Sequence, residues 1–213
     1  MSNSSLITYT RISPNHNHPR KYPITRITPH CVVGQFTAKQ ILDMSHFTTY
    51  DPEDGSSCNY AIGKDGSIGL GVDEGDRSWC SSSKDNDNRA ITIEVSSNLT
   101  HPYAITDSAY NALLDLMTDI CKRNGKTRLV WPGSKEATLA YQPADNELLL
   151  TAHRFFANKA CPGDYMYSRF GAMAEEVTKR LNDKEDEDKM AIYHWFKDMP
   201  GWARPSAEKA KAH

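Results

Sequence analysis

The sequence predicts an α/β domain in which a mixed central β-sheet is flanked by helices. Residues 90–95 (AITIEV) are nearly all apolar or β-branched, which is typical of a central strand. Two short β runs on either side of Asp65-Gly66 indicate a hairpin. After Thr106, apolar residues recur at steps of three and four, as in a helix that buries one face. Strands that alternate with helices favour one mixed domain over residues 1–182.

The segments around these landmarks fit the same scheme. Residues 1–20 are polar and contain two prolines, which predicts an extended N-terminal arm. Thr37 and Gln40 have the spacing of a capping box at the start of a short helix. We expect a polar loop over residues 81–89. Further strands are expected over residues 21–34, 129–131 and 148–153, and a last helix after Asp164.

The composition is that of a globular chain without a strong electrostatic field. The 213 residues include 25 Lys and Arg against 27 Asp and Glu, which gives a formal charge of -2. We therefore expect no nucleic acid and no membrane among the partners. No apolar run approaches the roughly 18 residues that span a bilayer. The N-terminus lacks a basic segment followed by an apolar stretch, so we expect synthesis in the cytoplasm without a signal peptide.

The five cysteines are widely spaced, and no Cys-x-x-Cys pair occurs. An odd number in a chain of this length, with no secretion signal, argues against a disulfide framework. We predict that most of them are buried free thiols. Cys161 is the exception.

Three residues have the chemistry and placement to bind one metal ion. His30 and His153 stand at the ends of predicted strands, where the sites of α/β sheets collect. Cys161 follows His153 by eight residues, and Pro162-Gly163 turns the chain behind it. This spacing does not suit one helix face, but a loop between the two residues can fold back so that both point at one atom. Two imidazoles, one thiolate and an open fourth position are typical of a catalytic zinc.

Three further side chains are candidates for catalysis beside such a metal. Lys159, two residues before Cys161, would stabilise developing oxyanion charge or pass a proton. Tyr60 would offer its hydroxyl to the attacking water or to the substrate carbonyl. Glu94 is a carboxylate in an apolar strand, so it must face solvent, a cleft or a cation, and in a cleft it is a general-base candidate.

Four segments together resemble the zinc-dependent N-acetylmuramoyl-L-alanine amidases of the amidase type 2 and peptidoglycan-recognition-protein superfamily. The likeness is strongest to lysins of phages and prophages of Gram-positive bacteria, and it spans residues 22–181. The segments, which follow the family's order, are ITPHCVVGQ at 27–35, SCNYAIGKDG at 57–66, NRAITIE at 88–94 and HRFFANKACPG at 153–163.

The resemblance implies a zinc ion at one end of a groove in the mixed sheet. The residues that match the family's zinc ligands are His30, His153 and Cys161. Those that match catalytic positions are Lys159, Tyr60 as a tyrosine near the metal, and Glu94 as a glutamate implicated in water activation. Trp79 and Asn88 fall in loops that would line the groove and bind substrate.

The implied reaction is hydrolysis of the amide between N-acetylmuramic acid and L-alanine in bacterial peptidoglycan. The enzyme would be a phage or prophage endolysin or an autolysin that acts on the cell wall after release. One alternative is a non-catalytic peptidoglycan receptor on the same fold, although such receptors typically lack the cysteine ligand. A second is a cytosolic amidase that recycles muropeptides, and a more distant third is a zinc peptidase with another substrate.

The last segment, residues 183–213, is predicted to be a charged linker followed by a short helical tail. Residues 195–203 (WFKDMPGWA) resemble the opening of an S-layer-homology-type repeat. Repeats of that kind bind cell-wall polymers, so such a polymer is a further expected partner.

Overall fold

A seven-stranded mixed β-sheet organises the computed structural model, which describes residues 2–183. The strands of this part of the chain are β1 (Tyr9–Thr10), β2 (His16–Asn17), β3 (Arg26–Cys31), β4 (Tyr60–Ile62), β5 (Ile68–Leu70), β6 (Arg77–Ser78), β7 (Ala90–Val95), β8 (Arg128–Val130) and β9 (Glu147–Leu150). The strand order is β1-β5-β4-β7-β3-β9-β8, and β2 pairs with β6 apart from this sheet. Strands β4, β7, β3, β9 and β8 are parallel neighbours, whereas β5 runs antiparallel to β4. The predicted mixed sheet and its hairpin are thus confirmed.

Helices cover both sides of this sheet. They are α1 (Ala38–Leu42), α2 (Ser45–Thr48), α3 (Lys84–Arg89), α4 (Asp107–Arg123), α5 (Lys135–Ala140), α6 (Asp164–Tyr167) and a helix over residues 170–183, here α7. The capping box of Thr37 and Gln40 is present, and the Thr106 side chain caps α4 as predicted. The expected loop over residues 81–89 is wrong in part, because it contains α3, which the Ser83 side chain caps.

The two faces of the central strands have different characters. Side chains of a strand alternate between faces, and one face carries Ile27, Ile91 and Ile93, which pack into one buried cluster with residues of α4 and α7. The opposite face carries polar side chains at the intervening positions, among them His30 and Glu94. The apolar face holds the domain together, and the polar face supplies the site.

The N-terminal arm is extended, as predicted, but it is packed onto the domain. Strand β1 pairs with β5, and β2 pairs with β6. Between them, the buried Asn15 donates from Nδ2 to the carbonyls of His46, Thr49 and Ser56. These bonds tie the arm to α2 and to the loop that follows it.

The predictions for the C-terminal segment concern residues that the structure does not describe. The charged linker, the helical tail and the S-layer-homology-like repeat fall on residues 184–213, outside the described part of the chain. Among residues 2–183, none of the helices has the length and apolar character needed to cross a membrane.

Candidate metal centre and active site

The candidate site lies at the carboxyl ends of three adjacent parallel strands, β7, β3 and β9. His30 is next to last in β3 and is in register with Glu94 of β7, so both side chains emerge on the same face of the sheet. His153 begins a 3₁₀ turn, His153–Phe155, shortly after β9 ends. Carboxyl ends of parallel strands share one edge of a sheet, which is where α/β folds place their ligands.

His30, His153 and Cys161 converge at this edge. Their candidate ligand atoms all lie within 4.8 Å of one another. Sγ of Cys161 is 3.3 Å from Nδ1 of His30, and the centroids of the two imidazole rings are 5.1 Å apart. Two nitrogens and one sulfur around a tetrahedral zinc, at bond lengths of about 2.0–2.3 Å, lie about 3.3–3.8 Å apart. The observed cluster is close to that spacing, and its donor set suits zinc.

The two imidazoles have the protonation state that a metal ligand needs. Burial, followed by the nearby His153, lowers the pKa of His30 well below its usual value. Burial and the charge of Lys159 lower the pKa of His153. A hydrogen bond with Cys31 and burial raise the pKa of the Cys161 thiol. Neutral imidazoles are ready to bind, whereas the thiol proton would be displaced when a cation binds.

Neighbouring side chains hold the ligands in place. Nε2 of His153 is 2.9 Å from Oγ of Ser82, which leaves Nδ1 of His153 for the metal. Arg154 donates to the carboxylate of Asp164 at 2.9 Å and to the carbonyl of Ala160, and its backbone N–H donates to the carbonyl of Cys161 at 3.1 Å. These contacts close the loop that carries Cys161 back onto His153. Such outer contacts usually fix the tautomer and the direction of a metal-binding side chain.

Gly163 allows the turn behind Cys161. Its φ is +83°, a conformation that side chains rarely adopt, and a Cβ there would lie 2.8 Å from Cβ of Tyr103. Glycine is therefore required both by the backbone and by the close packing of the loop.

Glu94 borders the candidate metal centre. Oε1 is 3.9 Å from Nδ1 of His30, and Sγ of Cys80 donates to it at 3.7 Å. Oε2 is buried and has no hydrogen-bond partner within the described residues. Burial raises the pKa of Glu94 to about 7. A carboxyl group with this environment, facing a metal centre, is suited to exchange protons.

Two neighbouring cavities, which share two lining residues, border the cluster. A cavity of about 300 Å³ is lined by His30, Glu94 and Cys161, and a larger cleft of about 720 Å³ by Trp79. His153 and the exposed Lys159 line both of them. Of the predicted site residues, Glu94 therefore lines the smaller cavity with the three candidate ligands, Trp79 lines the larger cleft beside His153, and Lys159 borders both.

Strained backbone borders these cavities. Among residues 2–183, the non-glycine residues with positive φ are Val33 at 56°, Ser82 at 58° and Tyr103 at 59°. Val33 and Tyr103 line the smaller cavity, and Ser82 lines the cleft. Such conformations cost about 1–3 kcal/mol each and cluster at functional sites.

The comparison with protein families agrees with this geometry. Residues 20–164 match the Amidase_2 family, described as N-acetylmuramoyl-L-alanine amidase. The chain belongs to this family. The matched range contains all eight predicted site residues of the amidase domain. A search of curated proteins found no match.

Solved structures share the amidase fold. AmpD, as a selenomethionine derivative, is 20% identical with a TM-score of 0.54, over 82% of this chain and 99% of that one. A mutant endolysin from Bacillus subtilis is 14% identical with a TM-score of 0.52, over 83% and 99% of the two chains. The Drosophila peptidoglycan recognition protein PGRP-SA is 18% identical with a TM-score of 0.51, over 76% and 90%.

The expectation that Tyr60 offers its hydroxyl to water or substrate is wrong. Tyr60 is fully buried, and its hydroxyl donates to Oε1 of Glu74 at 2.5 Å and accepts from the N–H of Ser4 at 2.9 Å. Glu74 is in turn paired with Arg123 of α4 at 2.6 Å. In the sheet it is Ala61, not Tyr60, that is in register with Glu94, so the Tyr60 side chain points to the opposite face.

Asn88 does not line the groove as predicted. It is buried in α3, where Nδ2 donates to the carbonyl of Lys84 at 2.8 Å and Oδ1 accepts from the N–H of Lys21 at 2.9 Å. The Nδ2 bond lies within α3, and the Oδ1 bond holds α3 against the segment that follows the N-terminal arm. Its neighbour Asp87 lines the cleft instead.

Ser82 and Arg154, which support the candidate ligands, are not predicted from the sequence. Ser82 lies in a run of three serines, and nothing in that run distinguishes the one that meets His153. Arg154 directly follows His153, so its position next to a candidate ligand was the available signal.

Proposed function

We propose that this amidase is a zinc-dependent hydrolase that cleaves the amide between N-acetylmuramic acid and L-alanine in bacterial peptidoglycan. We further propose that it works as a phage or prophage endolysin or an autolysin, which is made in the cytoplasm and acts on the wall after release. The observation that carries the proposal is the convergence of His30, His153 and Cys161 beside Glu94 at the end of an open cleft. When bound, zinc polarises a carbonyl and makes water acidic enough to attack near neutral pH.

Glu94 is the proposed proton carrier of the reaction. Its carboxylate lies beside the candidate ligand His30 and is largely shielded from solvent. It would accept a proton from the attacking water and deliver that proton to the amide nitrogen as the C–N bond breaks. General acid–base catalysis of this kind contributes about 10²- to 10⁴-fold in rate, so Glu94→Gln should lower kcat by that range.

Lys159 is the proposed stabiliser of the tetrahedral oxyanion. Its exposed side chain borders both cavities, and its positive charge lowers the pKa of His153. A cation at that position acts where negative charge develops in the transition state, which can contribute about 10²- to 10³-fold in kcat. Lys159→Met keeps an unbranched stem of similar length and removes the ammonium group with its charge and donors.

Mass spectrometry of products from purified Gram-positive walls tests the proposal. We expect glycan fragments with free lactyl carboxylates and peptides with a free N-terminal L-alanine. Chelator should abolish both products, and added zinc should restore them. Cys161→Ser is the matched variant, because it replaces one candidate ligand atom with minimal change in shape. Cleavage of another bond, or full activity of Cys161→Ser, would refute the proposal.

The alternatives predict different outcomes of the same assay. A non-catalytic receptor would bind the walls without releasing either product and would purify without stoichiometric metal. A recycling amidase would cleave soluble muropeptides but leave intact sacculi uncut. The presence of Cys161 in the cluster favours the enzyme over the receptor, because a thiolate with two imidazoles is a metal-binding set.

A further inference from the structure

We propose that Asn17 of the N-terminal arm is a positioning residue that fixes the Trp79 indole in the substrate cleft. This inference rests on the proposed function only in taking the cleft beside His153 and Lys159 as the place where substrate binds. It makes strand β2 a part of the active site, although the arm carries none of the candidate metal ligands.

Oδ1 of Asn17 collects several donors from one segment of the cleft wall. It accepts from Nε1 of Trp79 at 2.7 Å and from Nε of Arg77 at 3.0 Å, and Nη2 of Arg77 also donates to it. The guanidinium of Arg77 in turn lies 5.9 Å from the centre of the Trp79 ring. One amide oxygen thereby fixes the direction of an indole and of a cation that both line the cleft.

Asn17 can do this because its own backbone is held firmly. It pairs with Arg77 in the β2–β6 ribbon, two residues after the buried Asn15. The adjacent His18 contacts the carboxylate of Asp76 at 2.6 Å. Side chains placed by rigid elements hold a site more tightly than side chains on free loops.

Trp79 is placed to contact substrate at a distance from the reacting atoms. It lines the same cleft as His153 and Lys159, and its ring centre lies 6.4 Å from that of Tyr50, which is 62% exposed. Because Trp79 itself is only half-buried, water can replace Asn17 as the partner of its indole N–H. Loss of the Asn17 side chain should therefore let the indole rotate without unfolding the domain. Substrate would then have to immobilise the ring as it binds, and the entropy lost in doing so would weaken binding.

Steady-state kinetics on a soluble disaccharide–tetrapeptide muropeptide test this role. Asn17→Ala should raise KM about 3- to 10-fold with kcat changed less than about twofold, because the lost contact stabilises ground state and transition state alike. Asn17→Asp keeps the acceptor oxygen and should stay within about twofold of the parent in KM. If Asn17→Ala does not fold, Asn17→Ser, whose hydroxyl is too short to reach the indole, carries the same expectation.

A double-mutant cycle with Trp79→Phe shows whether Asn17 acts through the indole. The phenylalanine cannot donate to Asn17, so Asn17→Ala should have no further effect on KM in that background. An equal rise of KM in both backgrounds, an equal effect of Asn17→Asp and Asn17→Ala, or a fall of kcat at constant KM would each overturn the proposal.

A fluorescence measurement separates this inference from the amidase assignment. The emission of Trp79 is obtained as the difference between a protein that has Trp79 and the same protein with Trp79→Phe. Iodide should quench this emission more strongly in Asn17→Ala than in the parent, but not in Asn17→Asp. This readout needs no catalysis. An absence of amidase activity would refute the proposed function and leave the quenching result standing, whereas unchanged quenching would refute the positioning role.

Discussion

Sγ of Cys161 lies 3.3 Å from Nδ1 of His30, although 131 positions of the chain separate the two residues. Strand β3 delivers the imidazole and a short loop after β9 delivers the thiol, so the contact exists only when the parallel sheet is formed. The candidate metal centre is therefore a consequence of the fold and not of a local motif, and residues that shape the loop should control it.

Arg154 should control the loop. Arg154→Met keeps an unbranched apolar stem but removes the guanidinium, and with it the bonds to Asp164 and Ala160. We expect zinc affinity, measured by competition with a chromophoric chelator, to fall about 10- to 100-fold, as for other supports of metal ligands. Arg169→Met is the matched control, because Arg169 stacks on Tyr165 at 3.8 Å and does not contact the loop. Equal losses in the two variants would mean that the bonds from Arg154 to Asp164 and Ala160 have no specific role in zinc binding.

Ser82 should orient His153 through its 2.9 Å contact with Nε2. Ser82→Ala leaves that nitrogen without its protein partner, and we expect zinc affinity to fall about 10-fold with little change in thermal stability. Ser5→Ala, at an exposed position in the arm, provides the comparison. An affinity within twofold of the parent would show that water replaces the hydroxyl without cost.

Gly163→Ala should lower the stability of the domain. The new methyl group would meet Tyr103 at 2.8 Å, in a backbone conformation with φ of +83°. We expect the free energy of unfolding to fall by about 1–3 kcal/mol, measured by urea denaturation of the metal-free protein. Gly75→Ala is a suitable control, because a Cβ there would meet nothing within 4 Å.

Tyr60→Phe should separate structure from catalysis. Removal of the hydroxyl leaves the N–H of Ser4 without its acceptor and takes one donor from Glu74, so we expect a loss of about 1–2 kcal/mol in unfolding free energy. The kcat of the folded variant should stay within about twofold of the parent. A 100-fold fall in kcat, with the folded state intact, would restore Tyr60 to the catalytic machinery.

Many of the strands and helices could be predicted from the sequence, because the patterns that indicate them are local. The β-branched run of β7 and the helical periodicity of α4 each follow from residues that are close along the chain. His30 and His153 stood out because strand ends collect functional groups. Cys161 and Lys159 stood out by their spacing after His153, and Glu94 as a carboxylate in an apolar strand, and the family resemblance supported all three. The structure brings these residues to one edge of the sheet.

What the sequence did not show depends on contacts between distant segments. Helix α3 is six residues long and polar, so it has no apolar periodicity. Its buried Asn86 donates a hydrogen bond to the hydroxyl of Thr28 in β3, a contact between distant segments. The β2–β6 pairing involves two residues on each strand. Side chains alternate strictly along β4 and β7, so the register of the two strands places Tyr60 on the face of the sheet away from Glu94. The sequence alone does not give that register.

The proposed metal centre is tested by the zinc content and zinc affinity of the purified chain. We expect one zinc ion per chain in the parent, and loss of tight binding in each of His30→Ala, His153→Ala and Cys161→Ser, with amidase activity lost in parallel. Stoichiometric zinc that persists in all three variants, or full wall hydrolysis by the metal-free parent, would contradict it.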